Sequence, residues 1–459
     1  MATKRVKEKN GTGENLDLEP EDRISDLPDA VVLHILSFLP TIAAVRTSFL
    51  SKRWRRMWTL VPVLDFYDQR DLDYLRKPNG NKDRKKFFKF VNECLKHPYA
   101  DTTITRFKLK AEFYGGGHRV DGWLKFPVNK SVKELDLHVS PTNSVYCLPS
   151  AILCMRTLTV LNLNGLELLI SSTKVCLPSL KVLHLVNIDM HDLALNNLLL
   201  GCPYLEKLHI HYCSGLLNPL VLSSSMKSME YRAGYRNYAQ TMEVDARNLL
   251  SFVYKGGNNK CNINLVRCVA VRNLSFSGAC LTHQWLEDLI PQLSFLESLN
   301  VDSCYGVKHI KIMNQHLKNL DLDCRTDELD LLEVAVDAPS LVSFTYSGYL
   351  MLRISVNAPD LLYADINVCG QLKKAAYDME WYTRLINFLS EFNGTKKIHI
   401  FCGYEKAIII PNELREIYPS PLSDLKYLKV KTAFPLFRKV MFKKSLLWIA
   451  PSLETLAIE

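Results

Sequence analysis

The sequence predicts a small all-α unit of three short helices, followed by a curved α/β solenoid with parallel strands along its inner side. Three observations predict it. A nine-residue leucine pattern recurs over roughly 350 residues. Prolines stand just ahead of several copies, where a strand must begin. The segment before the array holds more apolar side chains than three short helices can bury among themselves.

The pattern is clearest in LKVLHLVNI from Leu180, LEKLHIHYC from Leu205 and LESLNVDSC from Leu296. Each reads L-x-x-L-x-L, with a further apolar place at position 9, the signature of a leucine-rich repeat. A short strand buries alternate side chains and a sharp bend follows. Fifteen copies can be placed, starting at Ile104, Val132, Leu158, Leu180, Leu205, Met226, Leu249, Val271, Leu296, Leu317, Leu341, Leu361, Thr395, Leu425 and Leu453. Steps of 20 to 34 residues separate them. Chance matches in a leucine-rich chain would not be so evenly spaced. The longest step holds TRLINFLSEF, Thr383 to Phe392, read as a convex-side helix with Thr383 as its cap. Cys202 and Cys213 flank one copy and are read as buried hydrophobes.

Composition excludes several classes. The chain has 459 residues, 47% of them hydrophobic, enough to offset the entropy of ordering. Its net charge is +9, and the pI of 8.8 lies below that of a dedicated nucleic-acid binder. The N-terminus, MATKRVKEKN, lacks the apolar run of a signal peptide, and no window approaches the ~18 apolar residues of a membrane span. Thirteen cysteines without a C-x-x-C pair suit free thiols in a reduced intracellular setting, nucleus or cytoplasm, and do not match the spacing of structural zinc sites.

Residues 1–22 are polar and read as a flexible tail. In residues 23–66, VVLHILSFL is apolar on more than one face and stops at Pro40. Thr41 can cap a second helix, and Ser51 a third that runs KRWRRMW. The stretch DRISDLPDAVVLHILSFLPTIAAVRTSFLSKRWRRMWTLVPVLDF, Asp22 to Phe66, closely resembles the F-box of the large plant family of F-box/leucine-rich-repeat proteins of the FBD-associated type. It departs from the family mainly at Thr41-Ile42-Ala43-Ala44, which leaves the buried pattern intact. The LLWIAPSLETLAIE ending also looks like that family, many members of which carry a further C-terminal domain, expected here to be absent or lost. The resemblance implies docking on a Skp-type adaptor and, through it, on a cullin ubiquitin ligase, by Leu27, Pro28, Val32, Ile35, Leu36, Leu39, Pro40, Val45, Leu50 and Trp54. Residues 67–103, with the FFKFVNECL helix pattern, are expected to cap the array that fills 104–459.

A helix-turn-helix is the competing reading of the basic third helix, with Lys52, Arg53, Arg55 and Arg56 on phosphates. The repeats that follow and the small overall charge disfavour nucleic acid as a partner. No membrane contact is expected either.

Places 3, 5 and 7 of each repeat should point to the open inner face. They make a basic start at Arg106, Lys108 and Lys110, a histidine group at His184, His209 and His211, and an acidic group at Asp302, Asp321, Asp323 and Asp365. The last turns become basic again. These histidines and aspartates are the candidate contacts for a target protein. A metal at the histidines is not expected, because spacing fixes no carboxylate beside them. Neither a cofactor nor catalysis is expected, since G-x-S-x-G, H-E-x-x-H and a phosphate-cradling loop are all missing. The sequence thus points to a non-catalytic, substrate-recognition subunit of a Skp-cullin-F-box ubiquitin ligase. The alternative is a small-molecule or hormone receptor that holds its ligand on the inner face.

Overall fold

The computed structural model describes residues 24–67, 80–113, 118–141, 146–170, 174–234, 239–257, 261–304, 309–324, 333–350, 353–369 and 377–459, apart from 25, 98, 100 and 101. The expected tail over 1–22 and most of the first part of the expected cap, 68–79, lie outside the described residues.

The N-terminal unit is helical, as its patterning predicts. α1 spans Asp29–Ser37, α2 Thr41–Arg46 and α3 Lys52–Met57, with single 3-10 turns at Thr47–Phe49 and Trp58–Leu60. Pro28 and Pro40 each sit at an N-cap in extended conformation, where a missing N–H costs nothing. Ser51 caps α3 by accepting from the Trp54 N–H at 3.3 Å. Thr41 does not cap α2. Its buried hydroxyl instead accepts from the Asp65 N–H at 2.7 Å, tying α2 to the first strand of the array.

That strand was not anticipated. β1 (Val63–Tyr67) is formed by the closing L-D-F of the F-box segment and pairs in parallel with β2 (Arg106–Phe113). The array therefore starts ahead of residue 104. The helix expected in the cap, α4 (Gly80–Lys96), is the crossover from β1 to β2, and the F-box with its α2 covers the sheet's leading edge.

The remaining elements follow in chain order: α5 (His118–Asn129), β3 (Glu134–Pro141), β4 (Val160–Asn164), β5 (Val182–Val186), α6 (Asp192–Leu200), β6 (Lys207–His211), β7 (Leu220–Leu222), β8 (Ser228–Arg232), β9 (Thr241–Asp245), β10 (Ser251–Lys255), β11 (Asn262–Asn264) and β12 (Asn273–Ser277). They continue with α7 (His283–Leu289), β13 (Ser298–Asp302), β14 (His309–Met313), β15 (Asn319–Asp323), β16 (Glu333–Asp337), β17 (Ser343–Tyr349), β18 (Arg353–Asn357), β19 (Tyr363–Cys369), α8 (Met379–Ser390), β20 (Lys397–Cys402), α9 (Asn412–Ile417), β21 (Tyr427–Thr432), α10 (Lys439–Ile449) and β22 (Thr455–Ile458).

One sheet of 16 parallel strands runs β1-β2-β3-β4-β5-β6-β8-β10-β12-β13-β15-β17-β19-β20-β21-β22. Every repeat placed from the sequence contributes its strand, two residues after the repeat's first apolar position. Alternation is kept up to the last strand: Leu183, Leu185, Leu208 and Ile210 are fully buried, while their strand neighbours face outward. After the strand comes the bend. Gly165, Asn187, Tyr212, Gly278 and Ser303 share the eighth place of their repeats and all have φ between 49° and 77°. That left-handed turn aims each N–H at the next repeat, as with Asn187 to the His211 carbonyl at 2.9 Å.

Step length bears on what fills the other side, although the step of 26 from β3 to β4 holds, among its described residues, only a 3-10 turn at Ile152–Cys154. Strand starts at 182 and 207 (a step of 25), 273 and 298 (25), 363 and 397 (34) and 397 and 427 (30) leave room for a helix and two loops, and each holds one. Starts at 207, 228, 251 and 273 (21, 23 and 22) and at 298, 319, 343 and 363 (21, 24 and 20) do not. There the return is made by short strands, which form two further parallel sheets, β11-β9-β7 and β14-β16-β18. α8 begins four residues earlier than expected and is capped by Asp378, which accepts from Trp381 N–H at 2.9 Å. Thr383 lies inside the helix and donates to the Met379 carbonyl.

Apolar residues from β1 to the end of α10 make one continuous core, as stacked repeats require. A second, small core lies inside the F-box: Val32, Leu36, Ala44, Trp54, Met57 and Val61. Trp58 packs on both cores.

Candidate functional site

Two surfaces carry functional chemistry. The first is on the helical unit. Val32 and Leu36, four apart on α1, point inward, whereas Val31, Ile35 and Phe38 form a second apolar stripe on the outside. Phe38 is 75% exposed, Phe49 88% and Leu50 66%, although the unit has already closed its own core. Large apolar side chains left out this far mark a contact face.

This redistributes the residues expected to touch an adaptor. Val32, Leu36 and Trp54 are buried in the F-box core, and half-buried Leu27 and Leu39 pack on it. Val45 packs against the repeat core and Pro40 starts α2. Ile35, Leu50 and Pro28 remain outside, joined by Val31, Phe38 and Phe49, which sequence reasoning did not single out. The signal was present in a helix apolar on two faces, but only burial separates the inner stripe from the outer one. The basic third helix is partly neutralised: Arg53 pairs with Asp29 at 2.6 Å and Arg56 with the same carboxylate at 3.5 Å.

The second surface is the open face of the long sheet. At its start, Arg106 pairs with Glu134, and Lys108 stands 3.8 Å from Asp136. Burial raises the Asp136 pKa against the pull of Lys108, His138 and Arg106. The basic opening is thus countered by the acids of the next strand.

In the middle, adjacent strands bring the three histidines together. His184 and His209 are in register on β5 and β6 with ring centroids 4.3 Å apart, and His209 lies 5.7 Å from His211. The structure adds Glu230 of β8, the register partner of His209. His209 Nδ1 stands 3.4 Å from Glu230 Oε2, and His211 Nε2 stands 3.6 Å from Oε1. Arg232 Nε donates to Oε1 at 2.6 Å. Burial pushes the His184 pKa down to about 4, helped by the neighbouring imidazoles. Burial also lowers His209 and His211, against the opposing pull of Glu230. Burial presses Glu230 upward, but the Arg232 bond and charge prevail and hold it below the usual carboxylate range. At pH 7 the group is therefore neutral imidazole beside carboxylate. Glu230 escaped the sequence reading because it sits in the weak repeat from Met226, which keeps the spacing but not the leucines.

Further on, Asp302 and Asp323 are in register, and Asp321 lies two residues from Asp323 on the same face. Ser277 and Ser303 hydroxyls donate to Asp302 at 2.8 and 2.7 Å, and Asn300 donates to Asp321 at 2.9 Å. Asp321 is raised by burial first and then by Asp323, Asp302 and Asp365. Asp365 stands apart from the other three, two strands along from Asp321, where Tyr363 donates to it at 3.0 Å. The same hydroxyl meets His399 Nδ1 at 2.7 Å, and Lys397 lies over the Tyr427 ring. Cys202 and Cys213 are buried, with burial pushing both thiols up to about 12, as expected of hydrophobic fillers. No described helix is long and apolar enough to cross a membrane.

A three-helix unit with an outward apolar stripe, fused to a parallel-strand repeat array, defines an F-box protein with leucine-rich repeats. Comparison with known proteins agrees. A family model of the F-box domain matches residues 24–66, and one described as FBD-associated F-box protein At5g56370, LRR repeats, matches 120–280. The F-box/LRR-repeat protein At3g26922 of Arabidopsis thaliana is 34% identical over 228 residues, 48% of this chain and 68% of that protein. F-box/LRR-repeat protein At3g59200 of the same plant is 38% identical over 199 residues, 42% of this chain and 37% of the relative. F-box/FBD/LRR-repeat protein At4g26340, also from Arabidopsis thaliana, is 36% identical over 192 residues, 41% and 43% of the two chains. The chain belongs to the F-box/LRR-repeat family. It spans less than half the length of the last two relatives.

Proposed function

We propose that this protein is a substrate-recognition subunit of a Skp-cullin-F-box ubiquitin ligase, with no catalysis of its own. Its F-box docks on a Skp-type adaptor, which links it to the cullin, and the open face of the repeats holds the target protein. The observation that carries the reading is the exposure of Phe38, Phe49 and Leu50 around an F-box core that is already complete. A unit this small leaves such side chains in water only where a partner covers them. The mixed charges of the open face, acidic at Asp302, Asp321 and Asp323, suit a polar protein target whose encounter is steered by charge.

The test is capture of purified Skp-type adaptor by the full chain. Phe49→Asp with Leu50→Asp removes the apolar face without touching a buried residue, so binding should fall at least about tenfold while the fold persists, because central apolar anchors dominate interfaces. Undiminished capture by a folded double variant would overturn the reading.

A further inference from the structure

We propose that His209, His211 and Glu230 form a binding site for a divalent transition-metal ion of the zinc class on the open face of the central repeats. His209 and His211 are two apart on β6, so the pleat sends both to one side, and Glu230 stands beside them on β8. One donor atom from each of the three lies within 4.8 Å of the other two, the one such group found among the described residues. Two ligands that each stand ~2.05 Å from a tetrahedral ion are ~3.3 Å from each other. His209 Nδ1 and His211 Nε2 stand 3.4 and 3.6 Å from the two different oxygens of Glu230, and one donor atom of each residue lies within 4.8 Å of the others, so side-chain rotation must draw the three together around an ion.

A second observation points the same way. His211 Nε2 is shielded from solvent yet has no hydrogen-bond partner. Buried ring nitrogens are ordinarily satisfied, and an ion placed between His211 and Glu230 would satisfy this one. The surroundings are those of a supported site. Arg232 holds Oε1 of Glu230 and leaves Oε2 turned toward His209, as outer partners orient a ligating carboxylate. The His184 ring lies against His209, centroids 4.3 Å apart and tilted by 41°, and acts as a positioning residue. Two imidazoles and a carboxylate favour zinc, cobalt or nickel over calcium or magnesium. Three protein ligands leave a fourth position open to water or to a side chain of a bound protein.

Titrating the full chain with Co²⁺ and with Zn²⁺ alone, near neutral pH, tests this by calorimetry and by cobalt absorption. One saturable equivalent is expected, with tetrahedral ligand-field bands and no thiolate-to-cobalt charge transfer. His211→Ala and Glu230→Gln should each weaken binding about tenfold or more, and His184→Ala less. His309→Ala, which breaks an exposed His309–Glu333 pair at 3.5 Å, should change nothing. Circular dichroism establishes that each variant is folded. Should one of them unfold, a rise in wild-type melting temperature on adding one equivalent of zinc still tests the site. Absence of a saturable equivalent, thiolate bands, equal binding by the wild type and the His211→Ala, Glu230→Gln double variant, or no zinc-induced melting shift would overturn the proposal.

Discussion

At the scale of single residues, the sheet's open face is a set of polar side chains whose properties come from register. Asp321 shows how. Burial and three nearby aspartates raise its pKa, so the folded state binds its proton more tightly than the unfolded chain does. A carboxylate raised on folding contributes a penalty that builds as pH climbs from the unfolded value near 4 to its folded pKa, is full above that, and vanishes below the unfolded value. Asp321→Asn keeps an oxygen to accept from Asn300 and removes the charge. It should therefore raise the melting temperature by about 1–2 °C at pH 7 and make no difference near pH 3. Thermal melts at the two pH values check this, and a loss of stability at pH 7 would contradict it. Residues of this kind were legible wherever the leucine frame was strong. Glu230 was not, because Met226, Met229 and Tyr231 replace the frame's leucines, and a carboxylate beside two histidines was passed over.

At the scale of elements, the inner strands could be read from sequence because burial on one face imposes a strict period. Their returns could not. A short return strand such as Leu220–Leu222 or Asn262–Asn264 has too few residues for any period, and only step length hints that no helix fits. β1 was missed for a different reason: its alternation of Val63, Leu64, Asp65 and Phe66 follows directly on a helical unit and precedes the first clear repeat by about forty residues. That strand makes the F-box the covering of the sheet's edge, fastened by the Thr41 hydroxyl. Thr41→Val leaves the Asp65 N–H without its partner and should cost about 1–3 kcal/mol at this junction, while Thr41→Ser should recover most of it. Urea unfolding followed by Trp fluorescence, with Trp54 and Trp58 near the junction, reads the change. Equal stability of wild type and Thr41→Val would mean that the tie contributes nothing.

At the scale of the whole molecule, two faces are built on separate cores and should fail separately. The helical unit, the repeat strands from β2 onward and the family could be read from sequence. Which apolar residues of the F-box face outward could not, because a two-faced apolar helix satisfies either orientation until its neighbours are placed. The central claim is that the exposed F-box stripe holds the adaptor while the repeat face serves another partner. Adaptor affinity, measured by calorimetry on three folded chains, tests it most directly. Phe49→Asp with Leu50→Asp should weaken binding at least about tenfold. Reversal of the acidic group by Asp302→Lys, Asp321→Lys and Asp323→Lys should leave adaptor affinity at the wild-type value at every salt concentration, since those side chains lie many repeats away along the sheet. Adaptor affinity undiminished by the first pair of changes, or lost on the second set, would contradict the division of labour.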